Sequence, residues 1–569
     1  MRKIFFLLLW NIGFYLPGHS QNIGMGTSTP DPSAILDITS TGKGILIPRM
    51  NSITIAAIAS PAKGLMVYDS LKNQLLVNMG SPVAPDWQNI AANSGWGLTG
   101  NSGTNPLVNF IGTSDSVPLL FRINNNWAGS IDSTYENTAI GYAANRIDKA
   151  GSFNTVFGYE AMDSVVPANY NTVFGAESFR KSLRRLGNDA NTAAGYQALN
   201  TAGYVDGLNT ATGYQSLFIG GDENTATGYQ AAFQGGEQIT ATGMQAFRNG
   251  TGGECTATGA QALYNNTSPV PGEIGGWFNT ASGYAALFNN VSGQLNTAGG
   301  YQSLYKNLNG KYNTAYGNAA LFSNNSTSQN TAAGSLSLLT TTSSEGNTAV
   351  GYNAGHTYNN GYYNCFIGAE TDANGPGYYN TIALGHGTLV TAPNMMRVGN
   401  GATTSIGGPV GWSTISDGRV KKNVQENVPG LPFINKLRPV SYNIDVTALQ
   451  NITQSGEVTA ATTRSAKQEM PAAMASAYKA KEQILYTGFV AQEVELAAKS
   501  LQYSFSGVDA ARNDKDLYSL RYAEFVMPLV KAVQELATQQ ALLKKENTRL
   551  RKEQEQVLLS LEAIEQKMH

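Results

Sequence analysis

The sequence predicts a mainly β protein: a parallel β-roll or β-helix built from short repeats, then a small α+β domain, then a C-terminal coiled coil. Three such chains are expected to wind together. Three observations carry this. A unit of the form Asn-Thr-Ala-x-Gly recurs through the middle of the chain, the composition changes abruptly near residue 413, and a heptad pattern runs from Leu529 to the end. The expected division is 1–20, a leader; 21–95, a β-rich segment; 96–395, the repeat region with units from about 137 to 390; 396–412, a neck; 413–528, the α+β domain; and 529–569, the coiled coil.

The chain has 569 residues, too many for one core, so several domains or a repeat array are expected. Net charge is −2 and charged residues make up 13%, so the basic stripe that nucleic-acid binding requires is missing. Hydrophobic residues reach 42% despite 62 glycines, so the chain has apolar surface to bury. The four histidines are scattered, no metal-ligand spacing occurs, and no cofactor is expected. Cys255 and Cys365 each fill a slot in the repeats, which predicts two buried, unpaired thiols.

The start, "MRKIFFLLLWNIGFYLPGHSQ", has two cations, an apolar run too short to span a bilayer comfortably, and a small-residue boundary. It predicts a signal peptide, export, and a place outside the cell or on its surface, with no membrane span after the leader is removed. Farther on, "GLMVYD", a polar turn and "QLLVNM" predict a β-hairpin, followed by Trp87. This segment resembles the N-terminal part of exported fibre-like bacterial proteins, which leaves anchoring and a short β-rich base both open.

From residue 137 the units follow one another: "NTAIGYAA" at 137, "NTVFGYEAM" at 154, "NTAAGYQAL" at 191, "NTAGGYQSL" at 296, "NTAYGNAAL" at 313, and on to "NTIALGHG" at 380. From 279 to 364 every step is 17 residues. That is too short for a helix pair but suits one coil of a β-roll. Thr-Ala-x-Gly reads as a small-residue strand ending in a turn, with Gly permitting positive φ. The Asn is expected to stack as a ladder, and the Leu or Phe eight residues on to fill the interior. Fifteen coils spaced about 4.8 Å apart make a rod on the order of 70 Å long.

Tyr follows the Gly in many units (Tyr142, Tyr159, Tyr196, Tyr214, Tyr229, Tyr284, Tyr301, Tyr352), as a stacked structural ladder or as a platform for sugars. Glu160 and Glu177 share one repeat position, which puts them roughly 5 Å apart in adjacent coils. That is within the range of a retaining glycosidase, although solvated carboxylates are the plainer reading. Small residues imply a narrow coil with little core, which gains by packing against identical chains. The units resemble the head repeats of trimeric bacterial adhesins and similar phage fibres.

In the C-terminal heptads, Leu529, Leu536, Leu543, Leu550, Val557 and Ile564 take the d-type positions. Val533, Gln540, Asn547, Gln554, Leu561 and Met568 take the a-type ones. Asn547 and the two Gln fix register at some cost in stability, and Glu546 and Arg551 sit where parallel chains can pair. The seam does not separate dimer from trimer; the repeats favour trimer.

At the junction lies "STISDGRVKKNV", residues 413–424. "SDGRVKKN", "LPFINKLRPVSYNI" (431–444), "GFVAQEVE" (488–495) and "YSLRYAEFVMPLVKAVQEL" (518–536) resemble, in order, the motifs of the intramolecular chaperone domain of endosialidase tailspikes, peptidase family S74. The resemblance implies a trimeric folding aid that aligns the fibre chains and then cuts itself off at Ile415–Ser416, with Ser416 as nucleophile and Lys421 as base. A serine hydroxyl needs a base, and no histidine lies between 387 and 568. Lysine serves only when burial or neighbouring cations such as Arg419 and Lys422 lower its pKa. Lys422 is a competing base, and a plain helix cap is the alternative role for Ser416. Residues 446–485 read as an exposed insertion, helical towards its end.

The expected function is therefore an exported trimeric fibre or adhesin-like protein with a self-releasing C-terminal chaperone. Its partners are its own copies and a surface glycan or host-cell ligand. The alternatives are a polysaccharide-binding or polysaccharide-degrading β-helix and a prophage tail fibre.

Overall fold

The structure, a computed structural model, describes residues 22–90, 96–146, 151–165, 167–182, 190–200, 207–267, 275–454 and 472–568. The expected leader, 1–20, lies outside them. The chain forms two compact units, one up to Gly112 and one from Thr113 onward.

In the first unit the expected hairpin forms. Met66–Asp69 pairs antiparallel with Gln74–Asn78, Trp87–Asn89 adds on one side, and Arg49–Met50 adds parallel on the other. Its core is small: Ile55, Val67 and Leu76, with Met50, Ile58 and Trp87 against them. Buried Asn78 holds the closing loop, donating to the carbonyls of Pro61 and Ala62 and accepting from the amides of Gly80 and Asp86.

The second unit opens with a hairpin, Leu119–Ile123 against Asn126–Asp132, turned by Asn124 and Asn125, both at positive φ. Asn137–Ile140 pairs antiparallel with that hairpin, and from there every neighbour is parallel. Successive coils stack to a last strand at Met396–Val398. Sixteen parallel coil strands result among the described residues, a β-solenoid about 75 Å long at the usual strand spacing. The register is uniform, Thr on Thr and Ala on Ala, as in Thr314–Thr331 and Ala315–Ala332.

Each three-residue strand points its middle residue inward. Ala139, Ala211, Ala281, Ala315 and Ala349 are fully buried. The residue eight after the Asn fills the rest of the interior, with Phe179, Leu217, Phe247, Leu263, Leu287, Leu304, Leu321 and Leu338 inaccessible to solvent. Each contributes about 1.5–3 kcal/mol of hydrophobic burial. The Asn ladder is continuous from Asn279 to Asn364. The amide N–H of each Asn donates to the side-chain oxygen of the one before, at 3.0 Å for Asn296, Asn313, Asn330, Asn347 and Asn364. A second buried ladder, Asn266, Asn290, Asn307 and Asn324, runs beside it and was not foreseen from the sequence.

Glycine after the strand is needed for two reasons. Gly317 has φ +134, and a Cβ there would lie 2.5 Å from the backbone of Gly334 in the next coil. The glycines therefore stack backbone on backbone, and a side chain would push the coils apart.

Two expectations need correction. The register sets Ile382 on Cys365, and the amide of Thr381 donates to Asn364, so Thr381, not Asn380, holds the Asn position in that coil. Cys255 is buried and unpaired, with burial pushing its thiol up to about 11, but Cys365 is only half-buried. Cys255 stands in the Asn ladder, whereas Cys365 is the outward first residue of its strand.

After the solenoid come several short elements. Leu431–Ile434, Val446–Gln454, Ala472–Glu482 and Ala491–Ser500 are helices, and Val440–Tyr442 pairs with Tyr486–Gly488. One helix, Val526–Met568, runs 43 residues to the end. It is about 65 Å long at 1.5 Å per residue.

Candidate functional site

The chain leaves the last coil and runs without regular structure to a 3-10 turn at Gly418–Val420. Every residue from 405 to 427 is exposed, Ile415 to 86%. In this arm the ammonium Nζ of Lys421 donates to Ser416 Oγ at 2.8 Å, which is hydrogen-bond reach for a nucleophile and its base. Ser416 does not cap the turn. Asp417 does, accepting from the Arg419 amide at 2.9 Å. Arg419 folds back onto Asp417 in a two-pronged ion pair, and this contact holds the Asp417 carboxyl below its usual range. The guanidinium is thus paired with Asp417. Lys421 itself is exposed in the single chain.

The other three quoted stretches meet in one core. Phe433 comes from the first, Phe489 and Val494 from the second, and Leu520 and Phe525 from the third, with Ala497, Ala498, Tyr503 and Phe505 filling between. Phe433 stands 5.0 Å from Phe505 and Phe525 4.8 Å from Phe505, ring to ring. Polar contacts tie the same stretches together. Arg438 pairs with Glu493, the Phe489 amide donates to Tyr522 Oη at 3.2 Å, and the Leu431 amide donates to Glu535 of the long helix at 2.8 Å. The helix at 431–434 starts at Gly430, which has no capping side chain, so Glu535 takes that role.

This domain is seated on the last coils of the solenoid. Buried Asp516 accepts from Thr391 Oγ1 at 2.5 Å and pairs with Arg397 at 3.3 Å. Asn513 donates to the Thr391 carbonyl, Arg512 to that of Pro393, and Lys481 to that of Thr403. Burial alone would raise the Asp516 carboxyl, but the bonds from Thr391, the Arg512 and Leu517 amides and Arg397 outweigh it and hold it low. A cleft of about 900 Å³ remains between these coils and the insertion helices, lined by Arg397, Asn400, Thr403, Leu449, Tyr478 and Lys481.

The helix seam faces solvent in the single chain. Leu529, Val533, Leu536, Leu543, Leu550, Val557, Leu561 and Ile564 are each 46–64% exposed. Asn547 lies on the same stripe. Glu546 pairs within its own helix with Arg549 rather than waiting free for Arg551 of another chain. In the first unit Ile35, Leu46, Ile53, Leu71 and Val83 are also mostly exposed. Apolar surface on this scale marks a chain that associates.

Glu160 and Glu177 are held by one cation rather than standing as free carboxylates. Arg180 bridges both, and a hydrogen bond from Gln197 leads the effects that lower the Glu177 carboxyl. A glycosidase acid needs the opposite shift. The tyrosines stack on one another, Tyr214 on Tyr229 at 5.3 Å and Tyr284 on Tyr301 at 5.3 Å, so they cover each other's faces and turn edges outward. Among the described residues no group of His, Cys, Asp and Glu is gathered closely enough to hold a metal ion.

Residues 24–104 match the family model described as the phage tail like trimerisation region. No curated protein matches the chain. The match falls on the first unit, the segment for which the sequence left anchoring and a short β-rich base both open. Together the match and the parallel β-solenoid fit a phage tail fibre-like protein that associates as a trimer.

Proposed function

We propose that this chain is one strand of an exported trimeric fibre whose C-terminal domain gathers three chains, seats on the ends of their solenoids, and then separates by one cut at Ile415–Ser416. The observation that carries the reading is the contact between Lys421 Nζ and Ser416 Oγ in an exposed arm between solenoid and domain. The arm also holds Trp412, Ile415, Val420 and Val424, all more than two-thirds exposed, which would find partners where three arms meet. Closure of the trimer removes water from Lys421 and favours its neutral form. Neutral Lys421 takes the Ser416 hydroxyl proton as Oγ attacks the carbonyl carbon of Ile415. The amide nitrogen leaves, protonated, as the new amine of Ser416, and water then hydrolyses the ester, giving a carboxylate at Ile415. One cut per chain needs no pocket for an outside substrate, and it reports that assembly is complete.

The test is expression of wild type, Ser416→Ala, Lys421→Met and Lys422→Met, read on a denaturing gel with N-terminal sequencing. Wild type and Lys422→Met should yield a fragment beginning at Ser416, while the other two stay whole. Intact bands from all four would remove the cut and leave the assembly role standing. For the ligand, a surface glycan or host-cell receptor is the class that a fibre of this kind would engage.

A further inference from the structure

The solenoid has one long parallel sheet, and among the described residues none on the outer side of that sheet is buried. On each three-residue coil strand the first and third residues point outward. The first is Thr in thirteen consecutive coils, then Cys365, Ile382 and Met396. The third runs Ile140, Phe157 and Phe174 at one end, Thr212, Thr227, Thr242, Thr258 and Ser282 in the middle, and Val350, Ile367 and Leu384 at the other. Many are open to solvent: Phe174 is 46% exposed and Tyr316 54%. Of these 32 outward positions, two on each of sixteen strands, none carries a charge. Isolated sheet faces in water are normally studded with Lys and Glu, so a charge-free face of this length is built to be covered.

The opposite side of the coil behaves differently. Coil length varies from 14 residues between Thr381 and Met395 to 24 between Cys255 and Asn279, and the variation falls between the residue eight after the Asn position and the next Asn position. The stretch from the Asn through the strand and Gly to that residue never changes length. The variable side also carries cations, with Arg248 over Phe233 and Lys306 over Phe322. Insertions and charges collect where the coil meets water.

We infer that the charge-free sheet face is the surface by which three copies of this chain pack, turned towards the threefold axis along the whole solenoid, with the variable loops outward. The occupant is the chain itself, because the same unit ends in an exposed heptad seam and the chain carries a trimerisation region before the solenoid. Apolar third residues then meet at both ends of the rod, and threonine hydroxyls line its middle. The inference rests on the trimeric reading and adds which face does the packing.

The test is short-range crosslinking of full-length Ser416→Ala protein in which Cys365 is replaced by Ser and one new thiol is introduced. Thr227→Cys and Thr242→Cys place it on the sheet face, and Ser326→Cys on the exposed variable side. Buried Cys255 is left in place. A short bis-maleimide should convert most of either sheet-face variant to covalent dimers on a denaturing gel and leave Ser326→Cys as single chains. The wild-type Cys365, on the same face, should also crosslink. Crosslinking of Ser326→Cys alone, in a protein that sediments as a trimer, would overturn the face assignment while the trimer stands. Sedimentation of every variant and of wild type as a single chain would overturn both.

Discussion

At the residue scale the solenoid depends on groups that are small or fully hydrogen-bonded. Asn313 accepts from the Asn330 amide and donates to Asn296 and the Thr327 carbonyl with no solvent nearby. Asn313→Ala leaves those partners unpaired, and we expect a loss on the order of 3 kcal/mol in denaturant unfolding. Gly317→Ala meets both a forbidden φ and the Gly334 backbone, and should cost at least about 3 kcal/mol. Gln245, whose side chain joins an outer ladder from Gln197 to Gln261, should lose under about 0.5 kcal/mol on change to Ala, because water replaces its partners. Much of this was legible in the sequence, since a single-coil repeat exposes its Asn, Ala, Gly and Leu columns to simple alignment. The second Asn ladder was there to be read, at Asn290, Asn307 and Asn324 with a constant 17-residue step, but it lies outside the quoted unit. Cys365 was misjudged because its column position, outward like Thr, was not fixed until the register was known.

At the element scale the C-terminal domain is joined to the solenoid through a titratable contact. The Asp516 carboxyl is held low in the folded chain, so its share of stability is present above the ordinary aspartate range and is lost as pH falls through the lowered value. We expect the seating of the domain to loosen below about pH 4, read as faster amide exchange at 391–397, and Asp516→Asn to weaken it at neutral pH. The long helix makes a second prediction. Leu536→Asp with Leu550→Asp breaks the stripe without touching the solenoid, so the helix signal should melt earlier and, on the proposed order of events, the cut at Ser416 should fail. The heptads announced this helix because spacing alone defines it. The small domain offers no such signal: its core draws Phe433, Phe489 and Phe525 from stretches far apart in the chain, and no local period links them.

At the scale of the whole molecule, each part leaves surface that one chain cannot cover. The first unit exposes large aliphatic residues, the solenoid exposes a charge-free face, the arm exposes Trp412 and Ile415, and the helix exposes its seam. Sequence reasoning reached the trimer from the narrow coil, yet it left the first unit between anchor and base, because a small β-core with exposed apolar residues has no period to read. The most direct measurement is the mass of the uncut Ser416→Ala protein in solution by sedimentation equilibrium, across dilution. Three times the 60.4 kDa of the full chain, less any leader removed on export, is the predicted value. A folded species holding the mass of one chain at every concentration would contradict the account.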